Sequence, residues 1–142
     1  MAVEERLREC LGLRTGAAYR RLDRYYNRGF EKVGLTHAHA QALLCLLKGG
    51  EQRMTAIAHT TGFEQSTVSR LMQELTNRRF VLRRRDPADG RAQLLRAGAK
   101  ARALRAELER IQRRLNDRLR REIDSDDLRG FFGVTEVFNR LP

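Results

Sequence analysis

Proline stands at only two positions in this chain, Pro87 and Pro142, and that scarcity constrains the fold more than any other feature. Proline breaks helices by removing an N–H and clashing with the preceding turn. Without it, helices here are stopped mainly by glycine, and the one interior proline marks the one place where the chain must do something else. That place is the stretch "FVLRRRDPADGRAQLL", Phe80–Leu95. Two apolar runs, Phe80–Arg83 and Ala92–Leu95, flank Asp-Pro and Asp-Gly turn chemistry, which predicts a β-hairpin with a loop longer than two residues. The rest reads as helix.

From Val3 to Phe30 the apolar residues Val3, Leu7, Leu11, Ala18, Leu22 and Tyr25 recur at mostly helical spacing, and Gly34 ends the pattern. Thr36 is placed to cap a helix that runs to Gly49-Gly50. That helix carries Leu43, Leu44, Leu46 and Leu47, apolar nearly all round, so it belongs at the centre of the core. Met54–Thr61 forms a short helix ended by Gly62, and the next helix gathers Val68, Leu71, Met72 and Leu75 on one face. After Gly98 a long helix carries Leu104, Leu108, Ile111, Leu115, Leu119 and Ile123. Asp124–Asp127 suits the start of a last helix, since carboxylates favour a helix N-terminus. Phe131, Phe132, Val134, Val137 and Phe138 lie on that helix.

The segment Met54–Arg79 fits a helix-turn-helix. Ala58, four residues before Gly62, is small where two helices cross, Gly62 permits a positive φ in the turn, and Val68 and Leu71 pack the second helix on the first. The N-terminal part of the second helix offers Gln65, Ser66, Thr67, Ser69 and Arg70, hydrogen-bonding side chains of the kind that reach base edges and phosphates from a major groove. Arg70 is the first candidate; Gln73 and Glu74 read as a solvated face. A hairpin directly after such a helix is a wing. Its Arg83, Arg84 and Arg85 supply charge in reach of phosphates. Arg91, just past the tip, suits a narrow, electronegative minor groove, with Asp89 two residues before it expected to hold its guanidinium.

Charge agrees with this reading. The chain of 142 residues has a formal net charge of +11, and Arg53–Arg96 alone holds nine arginines against four acids. Such a field favours a polyanionic partner. Other classes are disfavoured. Two cysteines make no disulfide framework or zinc knuckle. His37 and His39 point different ways on a helix and with His59 form no expected metal site; they read as solvated or capping residues. No nucleophile–base pair or carboxylate dyad has a recognisable setting, so no enzyme activity, catalytic residue or cofactor is expected. No apolar run approaches the roughly 18 residues of a membrane-spanning helix, and the N-terminus has no apolar signal core. The expected setting is the cytoplasm, with no membrane partner.

Taken together, "GLT" at Gly34–Thr36, "STVSRLMQEL" at Ser66–Leu75 and "FVLRRRDPADGRA" at Phe80–Ala92 resemble the MarR family of winged helix-turn-helix regulators, and the element order agrees along almost the whole chain. The resemblance implies a mainly α fold with a small β-hairpin wing, in one compact unit. Residues 1–33 would form an N-terminal dimerisation helix, 34–98 the DNA-binding lobe, and 99–142 the C-terminal dimerisation helices. It implies a homodimer that binds a palindromic operator in double-stranded DNA and represses transcription until a small-molecule inducer or cysteine oxidation relieves it. Gln65, Ser66, Thr67, Ser69 and Arg70 would enter the major groove; Arg84 and Arg85 would meet phosphates; Arg91, aimed by Asp89, would enter the minor groove. Cys10 is the candidate redox residue, although the tyrosine that peroxide-sensing members carry one turn later is Arg14 here. Tyr19, Tyr25, Tyr26, His37 and Arg14 are candidates to line an inducer pocket.

The chain departs from the family at two places. Arg79 stands where members often have glycine, and Ala97-Gly98-Ala99-Lys100-Ala101 replaces the usual Leu-Thr-x-x-Gly, leaving Gly98 as a weaker helix cap. The +11 charge also supports a second reading, a non-specific architectural DNA-binding protein.

Overall fold

The computed structural model describes residues 2–142. Seven α-helices and three short strands follow in the order α1 (Val3–Glu9), α2 (Leu11–Phe30), α3 (His37–Gly49), β1 (Gln52–Arg53), α4 (Met54–Thr61), α5 (Gln65–Asn77), β2 (Val81–Asp86), β3 (Asp89–Ala97), α6 (Ala99–Arg121) and α7 (Ser125–Asn139). A 3-10 turn at Glu31–Val33 joins α2 to α3.

Helix α3 is the centre. Thr36 caps it by accepting from the His39 N–H, and Ala40, Ala42, Leu43, Leu44 and Leu46 are buried along it. Helix α5 closes one side with Val68, Leu71, Met72 and Leu75, all at most 1% exposed. Helix α6 adds Leu108 and Ile111, and the hairpin adds Val81 and Leu95. Each fully buried leucine, isoleucine or phenylalanine contributes about 1.5–3 kcal/mol.

Between α4 and α5 Gly62 has φ +76°, and its N–H donates to the Ala58 carbonyl at 2.9 Å. A Cβ built on Gly62 meets nothing within 4 Å, so the backbone angle, and not crowding, selects glycine. Asp124 caps α7 by accepting from the Asp126 N–H, as its carboxylate predicts. Gly98 is the N-cap of α6 with no side-chain hydrogen bond.

Two elements differ from the sequence reading. The helix expected over Val3–Phe30 is broken at Cys10, whose backbone is extended; α1 buries no residue, so nothing holds it in line with α2. The hairpin gains a third strand: β1 pairs with β3 at Gln52↔Leu95 and Arg53↔Leu94, giving the order β1-β3-β2. Two residues are too short for a period to show.

Helix α7 buries nothing. It exposes Phe131, Phe132, Val134 and Val137, and α1 and α2 expose Leu7, Leu11, Leu13 and Leu22. An open cleft of about 970 Å³ separates α2 from α7, with Leu13, Tyr19 and Leu22 on one wall and Phe131, Val134 and Phe138 on the other.

Candidate nucleic-acid interface

Helix α5 turns its apolar stripe to α3 and its polar residues outward. Gln65, Ser66, Ser69 and Arg70 are exposed, and Thr67 is half-buried. Arg70 is not free: its Nη1 donates to Glu74 Oε1 at 3.0 Å. Glu74, expected to be solvated, is held from its other oxygen by His39 Nε2 at 2.6 Å.

The wing lies against the opposite edge of α5. Regular pairing runs from Val81↔Ala97 to Arg85↔Gln93; the register then slips, and Asp86 faces Asp89 around Pro87-Ala88. Gly90, Arg91 and Ala92 therefore have no partner across the hairpin; the turn itself is only Pro87-Ala88, shorter than the loop expected, and the extra residues are bulged out of β3. Arg83 joins wing to helix. Its guanidinium donates to Thr76 Oγ1 at 3.2 Å and Gln73 Oε1 at 3.4 Å on α5, and to Gln93 Oε1 at 3.3 Å on β3.

The arginines of the wing separate into two groups. Arg84 donates twice to Glu51, at 2.9 and 2.6 Å, so the structure gives it a carboxylate partner in place of the free charge expected. The Glu51 carboxyl is pushed below its ordinary range chiefly by that contact. Arg53 of β1 donates from Nε to Asp86 Oδ2 at 2.7 Å and pairs through Nη2 with the same oxygen. Asp86 is buried, and its Oδ1 accepts the Ala88 N–H at 2.9 Å. The Ala88 bond first, and then Arg53, hold its carboxyl below the usual aspartate range. By contrast, Arg85 and Arg91 are exposed and have no acidic partner among the described residues.

Asp89 acts differently from expectation. Its Oδ1 accepts the backbone N–H of Arg91 at 3.1 Å, not the guanidinium. Two residues apart in a turn, a short aspartate side chain meets the main chain first. It shapes the tip and leaves the Arg91 side chain unpaired.

The structure divides the candidate inducer-pocket residues. Tyr26 and His37 stack with ring centroids 4.3 Å apart, and His37 Nδ1 lies 3.1 Å from Asp23 Oδ1. Tyr25 donates to the Leu115 carbonyl at 3.1 Å, and Tyr26 bonds Asn116. These groups tie α2 to α3 and α6 and are used up in packing. His37 is thus buried, not solvated, because its ring fills the gap between Tyr26 and Phe30. Tyr19 and Arg14 lie instead on the cleft between α2 and α7. Cys10 is exposed at the junction of α1 and α2, and Cys45 is half-buried beside Gln52. No group of three or more histidine, cysteine or acidic side chains among the described residues is placed to hold a metal ion. Among the described residues, no helix is long and apolar enough to cross a membrane.

Sequence reasoning missed the partners of Arg53 and Glu51 and the bond from His39 to Glu74, although the capping role it allowed His39 is borne out by the Thr36 N–H donating to the ring. The three partners lie 33, 33 and 35 residues away, and no local pattern reports such pairs.

A helix-turn-helix followed by a β-hairpin that is bonded to its second helix, with a short strand before it completing the sheet, defines a winged helix-turn-helix protein. The family model described as MarR family matches residues 33–92. CouR, a transcriptional repressor solved on a 23-mer DNA duplex, is 26% identical with a TM-score of 0.82, covering 99% of both chains. BpsR of Bordetella bronchiseptica, whose DNA binding is regulated by 6-hydroxynicotinic acid, is 20% identical with a TM-score of 0.84, covering 95% of this chain and 96% of that one. A cysteine-to-serine mutant of Escherichia coli MarR complexed with operator DNA is 16% identical with a TM-score of 0.82, covering 96% and 98%. No curated protein matches the chain by sequence. Residues 33–92 thus match the MarR family model, and CouR shares the fold along the whole chain.

Proposed function

We propose that the chain is a sequence-specific DNA-binding transcriptional regulator, a homodimeric repressor relieved by a small ligand. The observation that carries the reading is the bonded pair of α5 and wing: Arg83 fixes their spacing, while Arg70, Arg85 and Arg91 point charge outward from the two edges that would meet adjacent grooves. Gln65, Ser66, Thr67 and Ser69 complete the major-groove face. The apolar surfaces of α1, α2 and α7 supply the dimer contact, since an exposed apolar area of this extent on one chain marks an interface. Ligand relief is carried over from BpsR and from CouR of Rhodococcus jostii, which has also been solved bound to p-coumaroyl-CoA.

The test begins with genomic fragments selected on the purified protein. A repressor prefers the enriched duplex over random duplex by about a thousandfold or more at physiological salt. Equal binding supports the architectural alternative instead. In the same assay Arg91→Ala weakens binding to both duplexes and lowers the salt slope by about one unit, the share of one phosphate contact. An unchanged slope and affinity remove Arg91 from the interface.

A further inference from the structure

Arg70 is held by a chain of hydrogen bonds that begins outside the recognition helix. The Thr36 N–H donates to His39 Nδ1 at 3.2 Å, so that nitrogen presents its lone pair and the ring proton sits on Nε2. Nε2 then donates to Glu74 Oε2 at 2.6 Å, and Glu74 Oε1 accepts from Arg70 Nη1 at 3.0 Å. The Thr36 hydroxyl also takes the His39 N–H at 3.1 Å, fixing the backbone from which the ring projects.

Local helix energetics do not explain this pair. An acid four residues after a basic residue is the weaker orientation of such contacts, worth at most a few tenths of a kcal/mol on an exposed helix. What sets it apart is the anchor. The His39 side chain is 12% exposed, against 39% for Glu74 and 61% for Arg70, so restraint passes outward from the lobe to its surface. The Glu74 carboxyl is held below its ordinary range, first by His39 and then by Arg70, and is ionised at neutral pH.

A free arginine on a DNA-facing helix follows any phosphate within reach, which adds affinity without sequence information. An arginine with one terminal nitrogen fixed has its remaining N–H groups aimed in one direction, and a carboxylate beside it repels phosphates. We infer that Glu74, set by His39, is a positioning residue that makes Arg70 discriminate between DNA sequences. This rests on the proposed DNA-binding role of α5 and assigns its specificity to a residue that need not touch DNA.

The experiment compares affinities for the selected duplex and a random duplex, with full-length protein at fixed salt, for Glu74→Gln, His39→Ala, His39→Gln and Arg70→Ala, and for Glu74→Gln combined with Arg70→Ala. Glu74→Gln should tighten binding to random duplex and lower the preference for the selected duplex by about tenfold, within what one bidentate base contact supplies. His39→Ala should act in the same direction. His39→Gln, whose amide can donate to Glu74 much as Nε2 does, should restore the preference; a solely structural role for the ring would not be rescued in this way. In the Arg70→Ala background Glu74→Gln should change the preference no further. If Arg70→Ala leaves the preference intact, the reading of Arg70 as a base contact fails. If Arg70→Ala lowers it but Glu74→Gln does not, or lowers it equally in both backgrounds, the positioning role is overturned while the DNA-binding reading stands. The two His39 variants decide the matter should Glu74→Gln fail to fold.

Discussion

Arg79→Gly should make this protein more stable, although it removes a large side chain. Helix α5 ends in a Schellman motif: the Phe80 N–H donates to the Leu75 carbonyl at 2.9 Å and the Arg79 N–H to the Thr76 carbonyl at 3.0 Å. That geometry requires a left-handed residue at Arg79, whose φ is +62°, the only positive φ outside glycine among the described residues. The backbone cannot relax, because Gly98 sits directly against it. The Gly98 N–H donates to the Phe80 carbonyl at 2.8 Å, and a Cβ at Gly98 would lie 3.1 Å from the Arg79 carbonyl oxygen. A residue with a Cβ pays about 1–2 kcal/mol for the left-handed region. Glycine avoids that cost but loses about 0.5–1 kcal/mol more through the freedom of its unfolded chain. The net expectation is a gain of about 0.5–1 kcal/mol, read from urea midpoints at one fixed protein concentration so that dimerisation contributes equally. The Arg79 side chain is exposed and has no acidic partner among the described residues, so little is lost with it. Arg79→Ala is the control, since it deletes the same charge and keeps the Cβ. If alanine stabilises as much as glycine, the gain comes from charge and the conformational reasoning is wrong.

Two further outcomes follow from other parts of the fold. Burial pushes the His37 imidazole below its ordinary value of 6.5, with the Asp23 contact opposing this less strongly. The unfolded chain then takes up a proton before the folded one, so stability should fall as pH drops through about 6.5, and His37→Phe should flatten urea midpoints measured between about pH 7.5 and 5.5. Phe131→Asp places a charge on the exposed apolar face of α7 and should shift sedimentation velocity from dimer towards single chain without lowering helical circular dichroism; an unchanged dimer would move the interface elsewhere.

Much of this was legible in the sequence because it is local. Gly62 after a short helix, Val68 with Leu71 on the next, and Asp-Pro near Asp-Gly each report a feature decided within a few residues. Arg79, where members of the resembled family often have glycine, already marks the left-handed position. Contacts between distant segments were not legible. Arg53, Arg84 and Arg91 have the same side chain in one basic region, yet they differ in partners: Asp86 and Glu51 reach the first two, and no acid among the described residues reaches the third. The break at Cys10 has a similar origin: the apolar spacing continues through it, and only the absence of anything packed on α1 lets the helix part.

This sorting changes how the charge of the interface should be counted. A net charge summed over Arg53–Arg96 treats every guanidinium as available to phosphate. In the folded lobe Arg53 and Arg84 are neutralised beside the sheet, by carboxyls that those contacts help keep ionised, and Arg83 is spent on neutral acceptors that set the spacing of helix and wing. What remains free on the wing is Arg85, Arg96 and the unpaired stretch that carries Arg91. The acids therefore do not dilute a basic patch. They hold the backbone at its base, so that less of the main chain has to be ordered on binding, while the arginine side chains at the tip stay free to reach a partner. If the lobe binds DNA as proposed, Glu51 and Asp86 would aid affinity through geometry while opposing it through charge, and Arg91, with its main chain set by Asp89 and its side chain free, is where the two effects would no longer conflict.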